Sequence, residues 1–346
     1  MNSLSDSISY RLTPHVPKNF IMVLLICGIL LGICVFASLA FGSRLVSWNE
    51  LIDGLFHPNV DSYGANVVRK RISRTVFSLF CGAALGVSGA LMQAVTRNPI
   101  ADPSILGVNT GAALFVVSGI AFFNISTASQ YIWLALAGAA ITAVFVFGIG
   151  SMGRGGATPL KLVLAGAATS AALSSLVIAI MIPRSYVMDQ FRFWQVGSVG
   201  SASWDAITTF IPFLVIGVLI GVISAPALNG LALGDEMATV LGIKTGMLRL
   251  IAAIAAVLLC GATTALAGPI GFIGLLSAHA IRLMLGPDLR FIIPLSAVSG
   301  AIILTMSDVI GRVLGSPGEL EVGVVTAFIG APLLIILAMK LKVRSL

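Results

Sequence analysis

The stretch LNGLALGDEMATVLGIKTGMLR, residues 228–249, is a polar segment between two long apolar runs, and the rest of the chain is organised around it. Asp235 and Glu236 stand where the first turn of a short helix would begin, and the helix dipole favours acidic side chains there. Apolar side chains recur at helical spacing and predict one apolar face: Met237, Val240 and Leu241. Gly242 is placed to end this helix, and residues 243–246 begin a second one. Two interpretations are open: a rigid knob offered to another protein, or a surface hairpin that only joins two helices.

The composition places the flanking apolar runs in a membrane. The chain has 346 residues, of which 58% are hydrophobic and 10% are charged, and its mean hydropathy is +1.06. Soluble domains carry about 25% charged residues, whereas apolar runs of about 20 residues fit the ~30 Å hydrocarbon core of a bilayer. The sequence lacks the alternating ten-residue segments of a β-barrel. We therefore predict an all-α polytopic membrane protein.

Ten apolar runs are predicted to cross the membrane as helices. Their approximate bounds are 20–41, 75–95, 107–123, 132–150, 160–182, 205–224, 250–267, 270–285, 291–309 and 322–341. They form one domain over residues 20–341, preceded by a polar segment at 1–19 and followed by a short tail at 342–346. Two long loops, at 43–73 and 183–203, are predicted on the outside. In the second run, the spacing of Gly82 and Gly86 predicts close contact with neighbouring helices.

Lysine and arginine residues indicate the orientation of the chain, because they are enriched in cytoplasmic loops. With ten spans and the N-terminus inside, twelve basic residues fall inside: Arg11, Lys18, Arg97, Arg154, Lys161, Lys244, Arg249, Arg282, Arg290, Lys340, Lys342 and Arg344. Eight fall outside: Arg44, Arg69, Lys70, Arg71, Arg74, Arg184, Arg192 and Arg312. We therefore expect both termini, the tail and the 228–249 loop in the cytoplasm.

The chain carries no visible source of energy for chemistry or transport. No GxxxxGK[ST] phosphate loop occurs, so the chain is not expected to hydrolyse ATP. No catalytic residue, metal site or disulfide framework is predicted, since the cysteines lie singly in apolar runs: Cys27, Cys34, Cys81 and Cys260. Proton-coupled carriers usually place acidic or histidine side chains at mid-membrane. Here Asp308 lies near the end of the ninth run and is interpreted as a structural i, i+4 partner of Arg312, and His279 as a packing residue.

Several motifs closely resemble one family. They are RISRT at 71–75, GAALGVSGALMQAVTRNPIADPSILGVNTGA at 82–112, FWQVGS at 193–198, LGDEMATVLGI at 233–243, GPIGFIGL at 268–275 and EVGVVTAFIGAP at 321–332. Over about residues 20–341 the chain is similar to the FecCD family, the membrane subunits of ABC importers for ferric siderophores, haem and vitamin B12. One departure is LSAH at 276–279, where the family usually has Val-Pro before the histidine.

The resemblance implies a ten-helix fold like that of the vitamin B12 importer, a type II ABC importer. It implies a second permease subunit, identical or paralogous, two cytoplasmic ATPases that bind ATP and magnesium, and an extracytoplasmic solute-binding protein. Membrane lipid surrounds such a chain, which binds no cofactor of its own and no nucleic acid. The residues matching family sites are Arg71, Arg74 and Arg312 for docking of the binding protein, Leu233, Gly234, Asp235, Glu236, Ala238, Leu241 and Gly242 for coupling to the ATPase, and Thr158 and Pro159 for a cytoplasmic gate.

The expected function is therefore that of a permease subunit that passes a ferric siderophore through the cytoplasmic membrane of a bacterium. Transport of haem or cobalamin is the alternative within the family. An ion-coupled secondary transporter is the alternative from another class, and the scarcity of intramembrane carboxylates speaks against it. An integral membrane enzyme is disfavoured because no nucleophile, metal cluster or acid–base pair is visible in the sequence.

Overall fold

The computed structural model describes residue 17, residues 19–153 and residues 159–340. Within these ranges the regular elements are helices. They are α1 (Phe20–Ala40), α2 (Trp48–Phe56), α3 (Tyr63–Thr96), α4 (Val108–Phe123), α5 (Ala128–Ser151), α6 (Pro159–Met181), α7 (Ser185–Gln195), α8 (Trp204–Leu231), α9 (Asp235–Val240), α10 (Thr245–Ala267), α11 (Ile273–Leu285), α12 (Leu289–Leu314) and α13 (Val322–Lys340), with a 3-10 turn at Pro103–Leu106. The predicted tail, almost all of the predicted N-terminal segment and Thr158 lie outside the described residues.

Seven of these helices are long and apolar enough to cross a membrane: α1, α3, α5, α6, α8, α10 and α12. Three shorter apolar helices, α4, α11 and α13, stand where the third, eighth and tenth runs were predicted. The prediction of an all-α polytopic membrane protein is confirmed.

The predicted loop at 43–73 is wrong for most of its length. It contains α2, and α3 begins at Tyr63, twelve residues before the predicted start of the second run at Thr75. A capping box between Ser47 and Glu50 starts α2, and the hydroxyl of Ser62 caps α3. The basic group at 69–71 does not interrupt the helix, because the guanidinium groups of Arg69 and Arg71 donate hydrogen bonds to nearby backbone carbonyl oxygens. A second predicted loop, 183–203, likewise contains α7.

Helix α3 forms the centre of the bundle. It packs against α1, α2, α8, α10, α11 and α12. In its most apolar stretch, 78% of the residues are buried. Glycines allow these close approaches, since a Cβ at Gly82 or Gly86 would overlap the backbone of α12, and one at Gly89 would overlap the backbone of Gly274 in α11. The predicted close packing at Gly82 and Gly86 is confirmed.

The long helices place two polar clusters at opposite ends of the bundle. One cluster surrounds Asp235, between the last residues of α3 and the first turns of α10. The other surrounds Asp308, between the first turns of α3 and the last turns of α12. Arg74 and Arg97 of α3 belong to different clusters, and the helical rise places them about 34 Å apart along the axis. We call these the Asp235 end and the Asp308 end.

Candidate functional site: two polar clusters at the ends of the bundle

At the Asp235 end, the chain folds into the short helix predicted from sequence. Helix α9 has six residues, with Asp235 and Glu236 in its first turn. It is bounded by Gly234 at φ +110° and Gly242 at φ +78°, a backbone region that favours glycine. The side chain of Ala238 is fully buried and holds α9 against the bundle. The predicted helix and its end before Gly242 are confirmed.

The outward face of this segment is apolar and has no partner within the described chain. Its side chains are strongly exposed: Leu233 63%, Met237 53%, Val240 81% and Leu241 59%. An exposed apolar patch on a polar loop is typical of a protein–protein contact. The arrangement therefore favours the knob over the simple hairpin.

The side chain of Asp235 is 51% exposed, and its carboxylate is bonded to the neighbouring helices. Its carboxylate accepts a hydrogen bond from Arg97 and, at 2.8 Å, one from Nη2 of Arg249. Arg97 is the C-cap of α3 in a left-handed conformation, and Arg249 lies in the second turn of α10. One carboxylate thus ties the short helix to the central helix and to the next long helix.

A second polar brace joins the same loop to α12. Nδ2 of Asn229, near the end of α8, donates to Oδ1 of Asp288 at 2.6 Å, and its Oδ1 accepts from the backbone N–H of Leu289 at 2.9 Å. Partial burial would raise the pKa of Asp288, but hydrogen bonds from Arg290 and Asn229 outweigh it and hold the pKa below its usual range. The loop is therefore braced at both of its flanks.

The predicted gate is only partly visible. Thr158 lies outside the described residues, and Pro159 is the first residue of α6. On the same side of the bundle, the carboxylate of Asp102 caps the turn Pro103–Leu106 by accepting from the N–H of Ser104 at 2.9 Å. Burial raises the pKa of Asp102. At the start of α6, Nζ of Lys161 donates to the carbonyl oxygen of Met152 at 3.3 Å. These contacts do not test the gate, which stays a prediction.

At the Asp308 end, a buried carboxylate lies between two arginines. The Asp308 side chain is 2% exposed; it accepts a hydrogen bond from Nη2 of Arg74 at 2.7 Å and forms an ion pair with Nε of Arg312 at 3.1 Å. The predicted i, i+4 pair with Arg312 is confirmed. Arg74 also donates to Oε2 of Glu319 at 2.6 Å, on the link between α12 and α13.

The other arginines predicted for docking are bonded inside the chain. Arg312 is 2% exposed and donates to the carbonyl and hydroxyl oxygens of Ser38 in α1. Arg71 is 6% exposed and donates to the carbonyl oxygens of Leu39, Ala40 and Arg44. The three predicted docking arginines therefore lie together, and they join α1, α3 and α12 in this chain. A partner would have to displace these bonds to use Arg71 or Arg312.

Arg74 also borders a cavity of about 470 Å³. Its other walls are formed by Trp194 of α7, the end of α10, Ser198, Gly200, Ser201, Glu319 and Glu321. The indole N–H of Trp194 donates to the carbonyl of Ala265 at 3.1 Å and fixes the ring beside the cavity. Within the described residues, no group of three or more His, Cys, Asp or Glu side chains could hold a metal ion.

Sequence reasoning missed several residues at both ends. Arg97 and Asn229 brace the loop, and Glu319 pairs with Arg74, yet none was singled out in the sequence. Arg97 and Asp235 are 138 positions apart, and Arg74 and Glu319 are 245 apart. No local pattern indicates such pairs.

Known proteins share both the sequence and the fold of this chain. The model of the FecCD transport family matches residues 30–340. The probable siderophore transport system permease protein YfiZ of Bacillus subtilis is 38% identical, over 93% of this chain and 96% of its own length. The ferric enterobactin transport system permease protein FepD of Escherichia coli is 40% identical, over 90% of this chain and 93% of its own length.

The structural comparison agrees with the sequence comparisons. A solved inward-facing conformation of a metal-chelate type ABC transporter superposes with a TM-score of 0.80 at 26% identity, covering 93% of this chain and all of that one. Since the family model and the full-length relatives cover nearly the whole chain, this multi-pass membrane protein belongs to the FecCD transport family.

Proposed function

We propose that this chain is the permease subunit of an ATP-driven importer and passes a ferric siderophore across the cytoplasmic membrane. Membership of the FecCD transport family supports the transport role. The names of the relatives at 38% and 40% identity support a siderophore as cargo. Haem is the alternative cargo, since the hemin transport system permease protein HmuU of Yersinia pestis is 31% identical over 93% of this chain and 95% of its own length. Cobalamin is the other alternative within the family.

The observation that carries the proposal is the braced knob at the Asp235 end. A separate ATPase needs a rigid feature to grip, and this segment offers exposed Met237 and Val240 on a helix whose other side is bonded to α3 and α10. Movement of the knob would reach α3 through Arg97 and α12 through Asp288. In this proposal the Asp235 end, both termini and the ATPases are cytoplasmic.

The Asp308 end then faces the solute-binding protein. Among the three predicted docking arginines, Arg74 is the most accessible, with 13% of its side chain exposed, and it borders the open cavity. We assign the docking contact to Arg74, where an acidic residue of the binding protein would compete with Glu319. Arg71 and Arg312 would hold α1 and α12 in the shape that the binding protein recognises.

The remaining partner is a second permease subunit, identical or paralogous. The ligand would pass along the interface of the two subunits without chemical change. Helix α6 begins at the predicted gate residue Pro159. In its most apolar stretch, only 11% of the residues are buried within the single chain. That exposure supports α6 as part of the subunit interface.

Uptake into proteoliposomes tests the function. The tagged chain is purified with the subunits that accompany it, reconstituted, and supplied with radiolabelled ferric siderophore and the binding protein. We expect uptake that requires magnesium-ATP on the ATPase side and survives an ionophore that collapses ion gradients. Uptake without ATP that the ionophore abolishes would refute the importer and favour the ion-coupled transporter.

The coupling role predicts a specific effect of Asp235→Asn. Each exposed ion pair with Arg97 or Arg249 contributes about 0.2–1 kcal/mol. Losing both pairs lowers the free energy that holds α9 against α3 and α10 by up to about 2 kcal/mol. We expect less substrate transported per ATP hydrolysed, whereas Asp189→Asn, which removes an exposed pair with Arg192 on α7, should behave as wild type. Equal coupling ratios in both variants would contradict the bracing role of Asp235.

A further inference from the structure

A long groove runs along α5 and α10 on the surface of the membrane-spanning bundle. Helix α8 makes few contacts with α5 and contributes Phe213 at one end of the groove. The groove has a volume of about 440 Å³. Small side chains make room for it: Ala137, Ala140 and Ala143 of α5 and Ala253 of α10. At one end, the rings of Trp133 and Phe213 meet edge to face with centroids 5.7 Å apart.

The groove runs along α5 and reaches the Asp235 end. Its lining extends from Trp133 to Phe147 on α5, which is about 21 Å of helix. At the Asp235 end it includes Leu106 of the 3-10 turn and Leu250 of α10. A bilayer has a hydrocarbon core about 30 Å thick, so the groove is longer than one leaflet is deep.

The dimensions match a single hydrocarbon chain. A volume of 440 Å³ spread over about 21 Å of helix leaves a width of about 5 Å for the centres of atoms, or about 8 Å between the surfaces of the walls. A transmembrane helix with its side chains is about 10–12 Å wide and does not fit such a space. An extended acyl chain does.

The chemistry of the walls also fits an acyl chain. Among the described residues that line the groove, the single polar side-chain atom is Nε1 of Trp133. A polar solute would lose its hydration there without gaining hydrogen bonds, which excludes a ferric complex. The rim is continuous with the lipid-facing surface, since Val144 is 73% exposed and Ile254 is 53% exposed on helices that span the membrane.

We infer that this groove binds one acyl chain of a membrane phospholipid, which lies along α5 and α10 and reaches Phe213 of α8. The acyl chain moves from the apolar interior of the bilayer into an apolar groove. Its binding free energy therefore comes from packing contacts rather than from the hydrophobic effect. Binding therefore depends on shape, and the bound chain exchanges more slowly than the surrounding lipid. This inference does not depend on the transported cargo or on the energy source.

Fluorescence quenching of Trp133 by phosphatidylcholine with brominated acyl chains tests the site. The protein is reconstituted with increasing fractions of brominated lipid, and the Trp133 contribution is obtained by subtracting the Trp133→Phe variant. We expect saturable quenching at brominated-lipid fractions about tenfold below those that quench by random contact, a preference of about 1.4 kcal/mol. Quenching that follows the bulk lipid fraction would overturn the proposal.

A pair of matched variants separates the groove from the general lipid surface. Ala140→Phe fills the groove and should restore bulk quenching, whereas Ile141→Phe adds the same ring to an exposed position outside it and should behave as wild type. If Ala140→Phe does not fold, a photo-crosslinking residue at Val144 provides the second measurement. An adduct with the mass of a phospholipid supports the site, and a polypeptide adduct overturns it.

Discussion

Asp308→Asn removes the only carboxylate that contacts Arg312 among the described residues. The side chains of Asp308 and Arg312 are both 2% exposed, so water cannot replace the lost charge. Arg312 would keep only its bonds to Ser38 in α1 and to a backbone carbonyl. Breaking a buried ion pair by removing one partner costs about 3–5 kcal/mol, and we expect a loss of unfolding free energy of that size.

The measurement is unfolding of the purified protein by titration with a denaturing detergent, followed by circular dichroism. Glu319→Gln is the matched control, because it removes the other carboxylate on Arg74, from a side chain that is 37% exposed. An exposed ion pair contributes about 0–1 kcal/mol. The unfolding free energy of Glu319→Gln should therefore differ from that of wild type by no more than this amount. Replacing both Asp308 and Arg312 with apolar residues of similar volume should recover part of the loss.

Two results would refute this reasoning. One is an Asp308→Asn variant as stable as Glu319→Gln, which would mean that the ion pair does not hold α1, α3 and α12 together. The other is an Arg312→Gln variant that retains full stability and loses only its affinity for the binding protein. That outcome would restore Arg312 as a docking residue.

Two glycine substitutions test the helix packing and the coupling loop. Gly86→Ala should lower the unfolding free energy by about 1–3 kcal/mol in the same assay, because its Cβ would overlap the carbonyl oxygen of Ser296. The control is Gly148→Ala on α5, where an added Cβ meets nothing within 4 Å, and it should be neutral or slightly stabilising. Gly242→Val places a β-branched residue at φ +78° and should lower ATP-driven uptake while ATP hydrolysis continues. The control is Gly246→Val, where the side chain enters open space on an ordinary backbone conformation, and it should transport normally. Normal uptake by Gly242→Val would contradict the need for a sharp turn there.

The sequence by itself determined the class of protein and the local shape of its loop. The apolar runs predict membrane helices because a bilayer imposes a length of about 20 residues on each span. Acidic residues before an apolar stripe, followed by Gly242, predict the short helix α9 because capping and periodicity are local properties. The pair of Asp308 and Arg312 was also predictable, since i, i+4 side chains on a helix are neighbours. The same local signals failed at residues 63–74, where the charges of Arg69 and Arg71 suggested a loop.

Only the tertiary structure decided what the charged residues contact. Arg74 meets Asp308 across 234 positions of sequence, and Arg97 meets Asp235 across 138. These partners are set by how α10 and α12 pack on α3, and that packing depends on glycine contacts between distant segments. The groove has the same origin, because it exists only where small side chains of α5 and α10 come together. Long-range packing leaves no periodic trace in the sequence, so arginines that seemed free for a partner proved to be bonded within the chain.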